Sequence, residues 1–210
     1  MMIIFEKGGV IMWPLILLSF TSLTFIIERS VFFWLEARKR KPVDTQRILS
    51  FAEKGKLEEA ERAARRSHTD FIARTLLNGL VHREYSLSRA LETQALIELR
   101  RMKKHLPILD TAITAAPILG ILGTVIGIIS SFDILGNQGV SDPMAVTMGI
   151  SEALITTAFG LIIALVTLIP YNIFQTRYQR AVEELESVCS VFEIIMQKRP
   201  QTNEVSEYSA

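Results

Sequence analysis

Among 210 residues the chain has one cysteine, Cys189, and three histidines. A single thiol excludes an intramolecular disulfide and a cysteine-rich zinc site. His68, His82 and His105 show no HExxH or other ligand spacing and are read as surface residues. No serine sits in a nucleophile elbow and no glycine-rich loop has a phosphate-binding context. Neither a catalytic centre nor a metal or cofactor is expected. The net charge of +1 gives no ground for a nucleic-acid partner.

Charge is also missing from long stretches. The chain is 49% hydrophobic and 21% charged, so apolar and charged residues must occupy separate blocks, as in a membrane protein. A hydrocarbon core of ~30 Å takes ~20 apolar residues at ~1.5 Å each. Three segments satisfy this: Val10–Ile27, Thr111–Phe132 and Ala153–Phe174. The first meets Glu28 and Arg29 at its far end, and Phe32, Phe33 and Trp34 extend it as an aromatic belt. Lys7 is too thin a basic region for a cleaved signal peptide, and no small-residue cleavage site follows before the charges.

The loop 133–142, "DILGNQGVSD", has no Lys or Arg, whereas residues 36–107 hold 17 of the 23. Short loops rich in Lys and Arg stay in the cytoplasm. The sequence therefore predicts an all-α integral membrane protein with three long transmembrane helices, N-terminus out and C-terminus in. Its parts are a periplasmic N-terminus and first span (1–35), a helical cytoplasmic block (36–107), a hairpin of two spans (108–176) and a cytoplasmic helical extension (177–210).

Within the cytoplasmic block, Asp44 or Thr45 is expected to cap a helix ending near "EKGK", and "KLEEAERAARRS" resumes a helical period. Ser86 or Ser88 is expected to cap a helix that runs on towards the second span. After the third span, Tyr178, Val182, Leu185, Cys189, Phe192 and Met196 recur at helical spacing, so that helix should continue amphipathically. The tail from Pro200 is polar and is expected to fray.

The hairpin carries the chemistry. Ala116, Gly120 and Thr124 step by four, as do Gly123, Gly127 and Ser131. A third line runs Ala145, Gly149, Ala153, Thr157, and continues loosely through Gly160 and Ala164. Lipid supplies no hydrophobic drive for helix association, so small-residue faces are how membrane helices approach. Spacing alone leaves open whether these stripes pack the hairpin internally or form a wetted seam between subunits. Residues 143–176 contain no Asp, Lys, Arg or His and a single acid, Glu152. An acid at membrane depth costs ~2.5–3.5 kcal/mol on insertion scales and is a functional site by default. Glu152 is expected to face a polar seam lined by Thr156 or Thr157; a carboxylate that merely snorkels to water or caps a kink is the other reading.

"AAPILGILGTVIGIISSF" (115–132) and "GISEALITTAFGLIIAL" (149–165), followed by "YNIF" (171–174), resemble the ExbB, TolQ and MotA group of bacterial inner-membrane proton-channel subunits, ExbB and TolQ more closely than MotA. The resemblance implies a homo-pentamer around the single transmembrane helices of an ExbD/TolR-like subunit carrying an intramembrane Asp. Protons passing through that Asp would move the partner helices and deliver force to a TonB-like or TolA-like protein. By matching position, Glu152 takes the place of the acid of the third span, and Thr124 and Thr157 those of threonines lining the pore. Pro117, Gly120, Gly123, Gly127 and Gly149 occupy the helix-packing positions. One departure is plain: the Pro usual in the third span is replaced by Val166, and a Pro stands at Pro170 instead. This expectation has a rival, a structural membrane scaffold in which the small stripes only pack helices.

Overall fold

The computed structural model describes residues 9–138 and 143–198; side-chain placement is described within these except at 134–138, 143, 145 and 146. The described residues contain helices and no strand: α1 (Met12–Lys39), α2 (Pro42–Glu53), α3 (Leu57–Arg66), α4 (Phe71–Val81), α5 (Arg83–Lys103), α6 (Leu106–Gln138) and α7 (Pro143–Gln197). Three helical stretches, in α1, in α5 with α6, and in α7, are long and apolar enough to cross a membrane. Two compact units divide the chain: Met1–Val31 with His105–Gln175, and Phe32–Lys104 with Thr176–Ala210.

In the first unit the three apolar segments share a core of Leu15, Ala116 and Ile163, with Ile11, Leu18, Leu119 and Ala164 packed against it. That core is small because most large apolar side chains point outward: Ile118, Ile121 and Val125 of α6 and Leu161, Leu165 and Ile169 of α7 are exposed. In water such a surface would drive aggregation; in a bilayer it is the solvated face. The expected loop at 133–142 is shorter than the sequence suggested, because α6 continues to Gln138; residues 139–142 and the tail from Pro200 lie outside the described residues.

The second unit packs α2 on α3, α3 on α4 and α4 on α5. α4 was not anticipated from sequence. Its Phe71, Ile72, Ala73, Thr75, Leu76, Gly79 and Leu80 are buried, and its half-buried polar line is only Arg74 and Asn78, too short to read as a period. Asp70 caps it, accepting from Ile72 N at 3.0 Å, and also accepts from Lys41 N at 2.7 Å and pairs with Arg40 Nη1 at 2.5 Å. Arg40 further pairs with Glu184. Arg74 bridges Glu98 at 2.7 Å and Glu36 at 3.5 Å, and Arg101 reaches the same two acids. Of the acids in these pairs, Glu36, Asp70 and Glu98 are buried.

Two expected boundaries are corrected, and the choice between Ser86 and Ser88 is resolved. α2 starts at Pro42 rather than at a cap on Asp44 or Thr45, because proline at the first helical position arrives with its φ already helical. Asp44 lies in the first turn, accepting from Ser67 Oγ at 2.5 Å, while the buried Thr45 hydroxyl has no partner. Ser86, not Ser88, breaks the helical backbone inside α5. The helix does not run on into the second apolar segment: it stops at Lys103, and His105 takes a left-handed φ of 68° before α6 begins.

Candidate functional site

The site lies in the first unit, where α6 and α7 run antiparallel. Small residues pair along them in opposite senses: Ser131 with Gly149, Gly127 with Ala153, Gly123 with Thr156, Gly120 with Thr157, and Ala116 with Gly160. A methyl group at Gly160 would strike the Ala116 carbonyl oxygen, and one at Gly120 would meet Thr157 Cα at 3.0 Å. Only hydrogen lets the backbones come this close. The stripes read from sequence thus pack the hairpin of one protomer; the side chain of Ala145, which began the third stripe, lies outside the described residues. Pro117 is half-buried within α6 and does not break it.

The hydroxyls of this seam are all engaged. Thr157 Oγ1 donates across to Gly120 O at 2.8 Å, and Thr156 Oγ1, which is buried, donates to Ala153 O at 2.8 Å. Thr124 Oγ1 donates to Ile121 O at 2.5 Å and Ser131 Oγ to Gly127 O at 2.8 Å. A hydroxyl also has lone pairs, so each remains able to accept from a water or a partner group.

Glu152 is half-buried, and its carboxylate lies against Gly9, where the backbone has a φ of +59° and a side chain would overlap Glu152 Oε1. Gly9 was not singled out from sequence; a lone glycine carries no signal of what faces it. Thr156, one turn from Glu152, shares its side of α7. Thr157 does not, since five residues turn a helix by ~140°. The sequence left open whether Thr156 or Thr157 lies beside the acid, and the helix geometry favours Thr156.

A second carboxylate enters from α6. Asp110 of α6 lies near the Tyr171 hydroxyl of α7, at the far end of the ladder of small-residue pairs. The expected second span began at Thr111, immediately after it, so Asp110 was passed over. His105 is likewise more than a surface residue: its Nδ1 is 3.2 Å from Glu28 Oε2, its ring lies 4.8 Å from that of Phe25, and Glu28 also accepts from Arg29 Nε at 2.6 Å.

A membrane hairpin closed by glycine contacts, with one acid near each end, has counterparts among known proteins. Residues 63–187 match the model of the MotA/TolQ/ExbB proton channel family. The chain belongs to this family. The ExbB-like 3 protein of Synechocystis sp. is 30% identical over 208 residues, covering 96% of this chain and 98% of its own. TolQ of Pseudomonas aeruginosa, a Tol-Pal system protein, is 31% identical over 118 residues, 56% of this chain and 51% of that one. ExbB of Helicobacter pylori, a biopolymer transport protein, reaches 44% over 71 residues, 34% of this chain and 49% of that one. Membership makes this a membrane protein of the proton-channel class, and the ExbB and TolQ relatives agree with the resemblance carried by residues 115–132 and 149–165. The matched stretch includes the whole seam, Glu152, Asp110 and Tyr171.

Proposed function

We propose that the chain is the inner-membrane proton-channel subunit of an ExbB–ExbD or TolQ–TolR type motor, which converts proton motive force into work on a TonB-like or TolA-like partner and so supports active transport at the outer membrane. Five copies surround the single-span helices of an ExbD/TolR-like subunit with an intramembrane Asp. The N-terminus faces the periplasm, and residues 36–107 and 177–210 face the cytoplasm.

One observation carries this reading: Glu152 is the only acid in 143–176, and it stands half-buried in the family-matched hairpin, beside Gly9 and one turn from Thr156. An ionisable group retained at such a place needs a function that repays its desolvation. Glu152 tunes and hydrates the path for the partner's carboxylate, with Thr124, Thr156 and Thr157 offering lone pairs along it and Pro117, Gly120, Gly123, Gly127, Gly149 and Gly160 fixing the walls. The exposed apolar faces of α6 and α7 suit contact with lipid and with neighbouring copies.

Glu152→Gln tests the proposal. The isosteric amide keeps size and hydrogen bonding but cannot exchange a proton at neutral pH. The expected result is a complex that assembles normally and loses most proton-driven uptake or envelope work. Unchanged work with normal assembly makes the hairpin a scaffold, as the engagement of every seam hydroxyl within one protomer would then suggest.

A further inference from the structure

We propose that the cavity between α2 and α3 binds a nucleoside phosphate, with the phosphates on Lys41, Arg47 and Arg66 and the base on Phe51. The site lies wholly in the second unit and is independent of the channel reading above.

α2 and α3 form a hairpin turned at Gly55, where φ is +79°. At its open end Ser67 Oγ donates to Asp44 at 2.5 Å, which fixes the register of the two helices. Between them is a cavity of about 400 Å³, within the range of small-molecule sites. One face of each helix lines it: Asp44, Arg47 and Phe51 from α2, and Glu59, Arg62 and Arg66 from α3. Lys41, just before α2, lines the open end.

The charges of this hairpin fall into two groups. Arg62 is answered by Glu58 at 3.4 Å and Arg65 by Glu61 at 2.7 Å. The two acids that line the cavity are engaged as well, Glu59 by Lys56 at 3.0 Å and Asp44 by Ser67. Lys41, Arg47 and Arg66 differ: none of the three pairs with an acid among the described residues, and they line the cavity from both helices. Unanswered cations around one space repel one another, and an anion that enters removes the repulsion while taking charge-assisted hydrogen bonds. Two guanidinium groups favour phosphate, because each planar fork matches a pair of phosphate oxygens.

The rest of the cavity suits more than inorganic phosphate. Phe51 stands one turn from Arg47 towards the hairpin bend, half-buried, and with Ala63 gives that end an apolar lining and an aromatic ring of the kind on which bases stack. From Asp44 to Phe51 is a rise of ~10 Å, which separates a phosphate end from a ring end. Asp44 and Glu59 keep lone pairs for ribose hydroxyls or a base amino group. A lipid phosphate has no ring to set on Phe51.

The test titrates ADP onto the full chain in phosphatidylcholine nanodiscs by isothermal calorimetry, with pyrophosphate and glycerol phosphate as separate ligands. The expected result is saturable ADP binding at one site, weakening as salt rises. Arg47→Gln and Arg66→Gln should each weaken it by about tenfold and leave thermal unfolding by circular dichroism unchanged, because neither arginine holds an acid in the fold. Phe51→Leu should weaken ADP by about fivefold or more and leave pyrophosphate unchanged. ADP binding that is absent, or unchanged in both arginine variants, overturns the site. Equal weakening by Arg65→Gln, whose side chain is held by Glu61 outside the cavity, shows diffuse attraction and overturns it too. Unchanged ADP affinity in Phe51→Leu removes the base, and with it the nucleotide. Glycerol phosphate, which carries a headgroup's phosphate without a ring, should bind more weakly than ADP; equal or tighter binding gives the cavity to a lipid headgroup and overturns the proposal.

Discussion

Where α6 meets α7, the contacts are Gly120, Gly123 and Gly160 set against backbone and threonine; on α4, Arg74 stands between Glu98 of α5 and Glu36 of α1. The difference follows from the solvent each unit suits. Lipid tails are as apolar as leucine, so apolar side chains gain nothing by leaving them, and helices associate by close van der Waals approach and short hydrogen bonds. Aqueous helices gain from burying Ile72, Leu76 and Leu80, and can also bring charges inwards provided each is answered. The first unit is therefore sensitive to volume, and the second to charge.

The largest expected effect is on volume. Gly160→Leu forces a side chain into the Ala116 carbonyl, which overpacking alone makes worth about 3 kcal/mol or more. The folded, monodisperse fraction in detergent should collapse on size exclusion, whereas Gly160→Ala should lose less. Full tolerance of leucine would mean that the backbones of α6 and α7 do not meet there. Next, Arg74→Ala leaves Glu98 and Glu36 with Arg101 as the shared cation and the Gln94 amide on Glu98. The cost should be about 2–3 kcal/mol, below the ~3–5 of a fully buried pair left uncompensated, and should appear as a lower melting temperature by circular dichroism.

Thr157→Val removes the hydroxyl that bonds Gly120 O and should cost only about 0.6 kcal/mol, the average for such bonds between membrane helices. A much larger loss would mean that polar contacts, not close packing, hold this seam. The smallest effect concerns reactivity alone. Burial, with Glu193 nearby, pushes the Cys189 thiol up to about 11, so the nucleophilic thiolate is scarce at pH 7 and still scarce at pH 9. Maleimide labelling should be slow in the folded protein at both values and accelerate on denaturation; rapid labelling at pH 7 would show Cys189 to be solvent-facing.

The apolar segments and the glycine stripes were legible because both depend on composition and on a period of four along one helix. The Asp70 cap before "FIARTLLNGLV" was also open to reading, yet α4 went unseen, since its polar line is only Arg74 and Asn78, too short to show a period. Nothing in the sequence marks the break at His105: histidine enters the left-handed region less readily than glycine, and here the contacts to Glu28 and Phe25 accompany it. The bond from Thr157 to Gly120 O depends on the register of two antiparallel helices, which no local pattern encodes. The same holds for Glu152 against Gly9, where the informative residue is the one without a side chain.

The engagement of Ser131, Thr124, Thr156 and Thr157 by carbonyls of their own chain bears on biogenesis. A newly inserted protomer does not need a neighbour to satisfy these four groups before it can reside in lipid. In the assembly proposed above, copies can then accumulate and diffuse singly, so the timing of assembly would pass to whichever component is made last, and a shortfall of partner would leave a reservoir of intact chains in place of misfolded ones.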